Sequence, residues 1–301
     1  MSTIEQASKR LEELRKAGVD MPWIHDAGSA PLSAVQPAAL AEAHHGGATM
    51  AAPAPLAAPR STVALDLAGL QDAGYLVPDT ARSRLLDEVR GIKRPLLNNA
   101  FGHKGSEPVD RGNLIMITSS LPGEGKTFTA INLAMSMAME LNHSVLLVDA
   151  DSARMSAADR LGVRGPRRGL IDLLLDPGLD LADVELATNV DKLSFLPSGT
   201  ANERATEIFS SKAMTGFLDR LAAHRDERIV IFDSPPLLPS AEARAIAPQM
   251  GQVVLVVHAG KTHQGSVQQS LALLEDNPVV MSLLNQSRTP SSASPYGYYA
   301  Y

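Results

Sequence analysis

Three stretches of this chain carry residue types that hold and transfer phosphate. In Ser120-Leu121-Pro122-Gly123-Glu124-Gly125-Lys126-Thr127 a glycine-rich turn runs into a Lys-Thr pair. This is the arrangement in which backbone N–H groups at a helix N-terminus cradle phosphates. Lys126 would reach the β- and γ-phosphates and the Thr127 hydroxyl would ligate magnesium, while Gly123 and Gly125 permit a backbone approach that a side chain would obstruct. Ser120 stands where the first glycine of such a loop is usual, so the motif is a variant. The plainer alternative is a glycine turn before a structural helix. Asp149 and Asp151 close the apolar run Val145-Leu146-Leu147-Val148, and Asp233 closes Ile229-Val230-Ile231-Phe232. A carboxylate at the end of a buried strand can hold magnesium directly or through water. One such aspartate can equally be a helix N-cap. Two acidic clusters matter chemically: hydrolysis needs a positioned water, whereas transfer to tyrosine needs a group that accepts the hydroxyl proton.

A fourth feature bears on that choice. The chain ends Pro295-Tyr296-Gly297-Tyr298-Tyr299-Ala300-Tyr301, so four of its 5 tyrosines stand together. Residues 287–301 contain no core-forming pattern and read as a disordered, Tyr-rich tail. A string of hydroxyls beside an ATP site suggests a tyrosine autokinase. A sticky aromatic tail that docks on a partner is the alternative.

These residues need strands and helices to position them. From Leu114 onward apolar strand patterns alternate with helices: Leu114 to Thr118, a helix from Lys126 to about Leu141, Ser144 to Val148, a helical stretch at Leu170 to Leu175, and Leu193 to Leu196. Then come a helix over Lys212 to His224, Ile229 to Phe232, a short helix near Ala241 to Ala247, Val253 to Val257, a helix over Ser266 to Glu275, and Val279 to Leu284. That alternation predicts an α/β fold with a mainly parallel sheet covered by helices on both faces. A helix precedes it over residues 79–94, closed by Pro95. Upstream, residues 1–25 hold a short amphipathic helix with Ile4, Ala7, Leu11 and Leu14 on one face. Residues 26–78, rich in Ala and Pro, read as a flexible linker in which His44 and His45 are solvated. The expected organisation is therefore helix 1–25, linker 26–78, catalytic domain 79–286 and tail 287–301.

The 301 residues contain no cysteine, which excludes disulfides, thiolate metal sites and cysteine nucleophiles and fits a reducing compartment such as the cytoplasm. The net charge of −6 gives no general basic surface, so nucleic acid is not an expected partner. No apolar run approaches the ~20 residues of a membrane span, and the N-terminus lacks the features of a secretory signal. GTP is disfavoured by the lack of a guanine-reading Asn-Lys-x-Asp stretch, and a dinucleotide by the glycine spacing.

Over roughly Asp87 to Tyr301 these motifs resemble the bacterial tyrosine kinase (BY-kinase) family, the P-loop autokinases of capsule and exopolysaccharide synthesis. The resemblance implies a three-layer P-loop NTPase fold and the cofactors ATP and Mg2+. It implies that Pro122, Gly123, Glu124, Gly125, Lys126, Thr127 and Phe128 surround the nucleotide, that Asp151 and Asp233 join Thr127 in holding the metal, and that Asp149 activates the tyrosine hydroxyl. Tyr296, Tyr298, Tyr299 and Tyr301 become the phosphoacceptors. Asn285 falls where relatives place an asparagine against the adenine edge, although a turn residue would look the same, and His258 to Thr262 would shape the same rim. Ala153 stands where the family places an arginine, with Arg154 next to it.

The resemblance also implies a ring of copies loosened by phosphorylation, joined through a Glu-x-x-Arg-x-x-Arg helix. Asp87, Arg90 and Lys93 offer a softened version of that spacing, unless they are simply a solvated face. The N-terminal segment and Ile92-Lys93-Arg94-Pro95-Leu96-Leu97 further resemble the stand-alone autokinases found with exosortase-type exopolysaccharide clusters. For that subgroup a separate membrane chain-length regulator would recruit the kinase to the inner face of the membrane. The rival readings are an ATPase switch that positions a membrane complex without using the tail, and an inactive nucleotide-binding scaffold.

Overall fold

A computed structural model describes residues 56–78, 83–103, 105–140, 142–165 and 167–287. The N-terminal amphipathic helix, the paired histidines and the four tail tyrosines lie outside the described residues. Eight strands form one sheet: β1 (Ser61–Val63), β2 (Leu114–Ser119), β3 (Ser144–Asp149), β4 (Leu186–Thr188), β5 (Leu193–Leu196), β6 (Arg228–Asp233), β7 (Gln252–His258) and β8 (Val279–Asn285). Their spatial order is β1-β4-β5-β3-β6-β2-β7-β8. Every neighbouring pair is parallel except β4 with β5. The helices are α1 (Leu67–Asp72), α2 (Arg84–Phe101), α3 (Lys126–Ala138), α4 (Ser156–Arg160), α5 (Leu170–Leu175), α6 (Leu181–Val184), α7 (Ala205–Phe209), α8 (Lys212–Ala223), α9 (Ala241–Ile246) and α10 (Gln264–Ala272).

The central strands β2, β3, β6 and β7 are mostly apolar because both faces are covered. In β2, Ile115 and Ile117 enter one core with Leu133, Leu147 and Ile231, while Leu114 and Met116 enter the other with Phe217, Val148 and Phe232. Alternate residues of a strand point to opposite faces, so a strand buried on both reads as a continuous apolar run. At the outer edge β8 is only partly buried, and Leu284 remains exposed.

Three sequence expectations change. Residues 61–77 do not behave as linker: β1 pairs with β4, and Leu65, Leu70, Tyr75, Leu76 and Val77 are buried. The Ala/Pro composition misled here because apolar anchors too few to show a period still suffice to dock a segment on an existing core. Pro95 does not end its helix; α2 continues to Phe101. A proline inside a helix costs about 3 kcal/mol, but stopping there would expose Leu96 and Ala100, both 0% exposed. Burying a leucine alone contributes about 2 kcal/mol. The helix after the P-loop ends at Ala138, short of the expected Leu141, which lies outside the described residues.

The proposed oligomerisation triad separates as well. Asp87 and Arg90 are exposed and pair with each other at 3.6 Å. Lys93 is 8% exposed and turns inward, donating to the Ser136 carbonyl at 3.0 Å and pairing with Glu140 at 2.6 Å. At about 100° per residue, position 93 lies some 120° around the helix from position 87, so the three do not share one face.

Candidate active site

The site assembles at the carboxyl ends of the central strands, where open α/β sheets bind ligands. β2 delivers the loop Ser120–Gly125 and then α3. Gly125 caps that helix with φ of 99° and no side-chain bond to the first turn, so the N-terminal N–H groups remain uncapped by side chains. A β-carbon at Gly125 would strike the Asn285 amide, which is why glycine stands there. Asn285 closes β8 and donates from Nδ2 to the Glu124 carbonyl at 2.9 Å. The Glu124 side chain points away from the cradle: it accepts from the Leu121 N–H at 2.9 Å and from the Thr262 hydroxyl. Ser120, in the place of the usual glycine, accepts a hydrogen bond from Ser270 of α10 at 2.9 Å. The loop is thus fastened to β8, to the β7–α10 turn and to α10.

Beneath the loop lies the acidic cluster. Lys126 donates to Asp151 Oδ2 at 2.9 Å and lies 3.9 Å from Asp233 Oδ1. Asp149 stands directly opposite Asp233 in the β3–β6 ladder. Burial, reinforced by the Asp233 charge, pushes the Asp149 carboxyl up to about 7, although the Ala158 and Asp151 N–H groups at 3.3 and 3.2 Å pull it down. Burial also raises Asp233, to about 6, against the opposing pull of Lys126 and the nearby Thr127 hydroxyl. Both Asp233 oxygens are buried without a hydrogen bond of good geometry, so Thr127 acts on them by proximity. Beside them the Ser152 hydroxyl donates to Glu242 at 3.1 Å, and burial raises the Glu242 carboxyl.

A cavity of about 430 Å³ opens above the loop, lined by Pro122, Gly123, Gly125, Lys126, Thr127, Phe128, Arg154, Ser156, Arg160, Asn285 and Gln286. The expected nucleotide-binding residues therefore gather around one opening, with Glu124 just behind it. Arg154 borders that opening, whereas Ala153 cannot supply a charge. Ser156 and Arg160 went unnoticed in the sequence because α4 has only five residues and no sustained period. The adjacent opposite charges of Asp159-Arg160 are the sole hint it gives.

A magnesium ion fits this donor set. Asp233 offers two buried oxygens lacking hydrogen-bond partners, and Thr127 and Asp151 are adjacent. Among the described residues no three acidic or histidine side chains gather closely enough to hold a metal alone. That suits an ion that takes one or two carboxylates and completes its shell with water and phosphate. No described helix is long and apolar enough to cross a membrane.

A family model described as an AAA domain matches residues 112–274. Tyrosine-protein kinase YwqD of Bacillus subtilis (strain 168) is 33% identical over 186 residues, covering 62% of this chain and 76% of that kinase. Tyrosine-protein kinase CpsD of Streptococcus pneumoniae is 27% identical over 192 residues, covering 64% and 83%. Among solved structures, the BceF tyrosine kinase domain superposes with a TM-score of 0.55 at 26% identity, covering 65% of this chain and 76% of that one. The VpsO kinase domain gives 0.55 and 26%, covering 67% and 97%. A P-loop AAA domain whose likeness to YwqD extends over three quarters of that kinase makes the assignment: this chain belongs to the bacterial tyrosine kinase family.

Proposed function

We propose that this chain is an ATP-dependent protein-tyrosine autokinase that transfers the γ-phosphoryl group of Mg-ATP to Tyr296, Tyr298, Tyr299 and Tyr301 and thereby regulates exopolysaccharide or capsule polymerisation and export. The observation that carries this reading is Lys126, held over Asp151 and Asp233 in a chain whose relatives are tyrosine-protein kinases. On exchanging its carboxylate contacts for phosphate oxygens, Lys126 would leave Asp151 and Asp233 able to hold magnesium together with the Thr127 hydroxyl. Bound magnesium neutralises charge on the phosphate oxygens. The α3 N-terminus and Lys126 would orient the phosphates, and Asn285 and Gln286, which line the same cavity, would border the base. Asp149, with its carboxyl near 7, takes the tyrosine hydroxyl proton, the range in which a general base works at neutral pH.

Ser287 to Ser294 serve as a tether that presents the tail hydroxyls to the site of a neighbouring copy. Each phosphate adds about −1.5 to −2 charges, so a modified tail repels its neighbours and loosens the assembly. With no described helix able to span a membrane, a separate membrane chain-length regulator would recruit the kinase. The test is phosphosite mapping by mass spectrometry after incubation with Mg-ATP, comparing wild type, Lys126→Met and a chain ending at Pro295. Phosphate on the tail tyrosines that requires Lys126 supports the proposal. ATP hydrolysis with an unmodified tail, even with a membrane partner's cytoplasmic segment supplied, replaces it with an ATPase switch.

A further inference from the structure

Residues 75–77 do more than fill space against the P-loop helix. The Tyr75 ring lies 5.1 Å from that of Phe128, the second residue after Lys126, tilted by 44°. The Leu76 N–H donates to Asn132 Oδ1 at 2.8 Å, and Asn132 Nδ2 donates to the Phe128 carbonyl at 2.8 Å. These contacts lock Tyr75, which is 4% exposed, to the first two turns of α3. Its hydroxyl is turned toward α4, where it accepts a hydrogen bond from Arg160 Nη1 at 3.0 Å.

Arg160 lines the same cavity as Gly125, Lys126 and Thr127. Unlike Lys126, it has no carboxylate partner among the described residues, and one guanidinium nitrogen alone is engaged. Its charge is one of the influences that hold the Asp233 carboxyl down, so it stands within electrostatic reach of the cluster. Fixing an arginine side chain costs rotamer freedom. A buried, locked hydroxyl that anchors one nitrogen meets part of that cost before ligand arrives, leaving the planar donors directed at an anion.

We infer that Arg160 is a phosphate-binding residue for the nucleotide polyphosphate and that Tyr75 is its positioning residue, so that the segment before the catalytic domain sets nucleotide affinity. The inference rests on the ATP site proposed above but not on the fate of the γ-phosphate. Tyr75 touches no ligand; it acts through Arg160.

The test uses the full chain and a fluorescent ATP analogue with Mg2+, titrated at low and high salt after each variant's unfolding midpoint is measured. Arg160→Ala is expected to weaken binding about tenfold at low salt, and less at high salt, as a charge contact must. Tyr75→Phe, which keeps the ring on Phe128, is expected to weaken it about threefold, because the guanidinium is no longer pre-positioned. The double variant should bind no worse than Arg160→Ala, and Arg160→Lys should recover part of the loss. Arg160→Glu provides a second variant of the same exposed side chain. Binding by Arg160→Ala within about twofold of wild type, a loss indifferent to salt, or a double variant weakened by the product of the two single losses would each overturn the inference. Wild type that binds nucleotide yet yields no phosphotyrosine removes the kinase reading alone.

Discussion

Asp149 is held at a cost to the fold that can be measured. Its carboxyl rises from 3.8 to about 7 because it is buried opposite Asp233. The folded protein therefore binds a proton that the unfolded chain releases, and stability falls as pH climbs from about 4 to about 7. At 1.36 kcal/mol per unit the full penalty above pH 7 is about 4 kcal/mol. Asp149→Asn removes it but offers one carbonyl oxygen where two N–H groups donate, a loss of about 2 kcal/mol. The net expectation is a gain of about 2 kcal/mol at pH 8, or roughly 4–8 °C in Tm for a domain of this size. At pH 5 the wild-type penalty is only between about 1 and 2 kcal/mol, so the gain vanishes. Thermal unfolding by circular dichroism in EDTA at both pH values reads the difference directly, and the same variant should lose phosphotransfer. A variant less stable than wild type at pH 8, or one equally stabilised at both pH values, refutes the reasoning.

Other expectations follow from the same contacts. Lys126→Met leaves the buried Asp151 and Asp233 without their counter-charge, so it should abolish phosphotransfer and, in EDTA at pH 8, lower stability by about 3 kcal/mol, with partial recovery toward pH 5 as Asp233 protonates; equal Tm deficits at both pH values would contradict this. Lys93→Ala should cost about 1–3 kcal/mol, since it strips a buried donor from the Ser136 carbonyl. Arg90→Ala, on the exposed face, should change chemical-denaturation stability by less than about 0.5 kcal/mol. Gly125→Ala forces a positive φ on a residue with a side chain and drives it into Asn285, so nucleotide titration should show binding lost and chemical denaturation should show stability lowered by about 1–3 kcal/mol.

The residues that gather at the carboxyl ends of the central strands were easier to find in the sequence than the scaffolding that holds them. Lys126 and Thr127 stood out through the glycine-rich turn before them, and Asp149, Asp151 and Asp233 because each closes or follows an uninterrupted apolar run, and such runs demand a sheet buried on both faces. Leu193 to Leu196 was legible as a strand, but its antiparallel partner β4 and the short α4 and α6 left no signal, being too brief to express a period. Lys93 was misplaced because spacing alone does not say which way a cation turns; the Ser136 carbonyl and Glu140 decide it. Pro95 and residues 61–77 show burial overriding local preference. Tyr75 belongs to the same class: nothing in its neighbourhood announces Arg160, which lies 85 residues away.

The central claim is that phosphate goes to tyrosine and not only to water. Its most direct measurement is a single turnover with γ-labelled Mg-ATP, partitioning the label between protein tyrosine and inorganic phosphate. The account predicts label on Tyr296, Tyr298, Tyr299 or Tyr301 in wild type and on none of them in Lys126→Met or Asp149→Asn. Label released wholly as inorganic phosphate by wild type, with the tail intact and a membrane partner's cytoplasmic segment present, would contradict it.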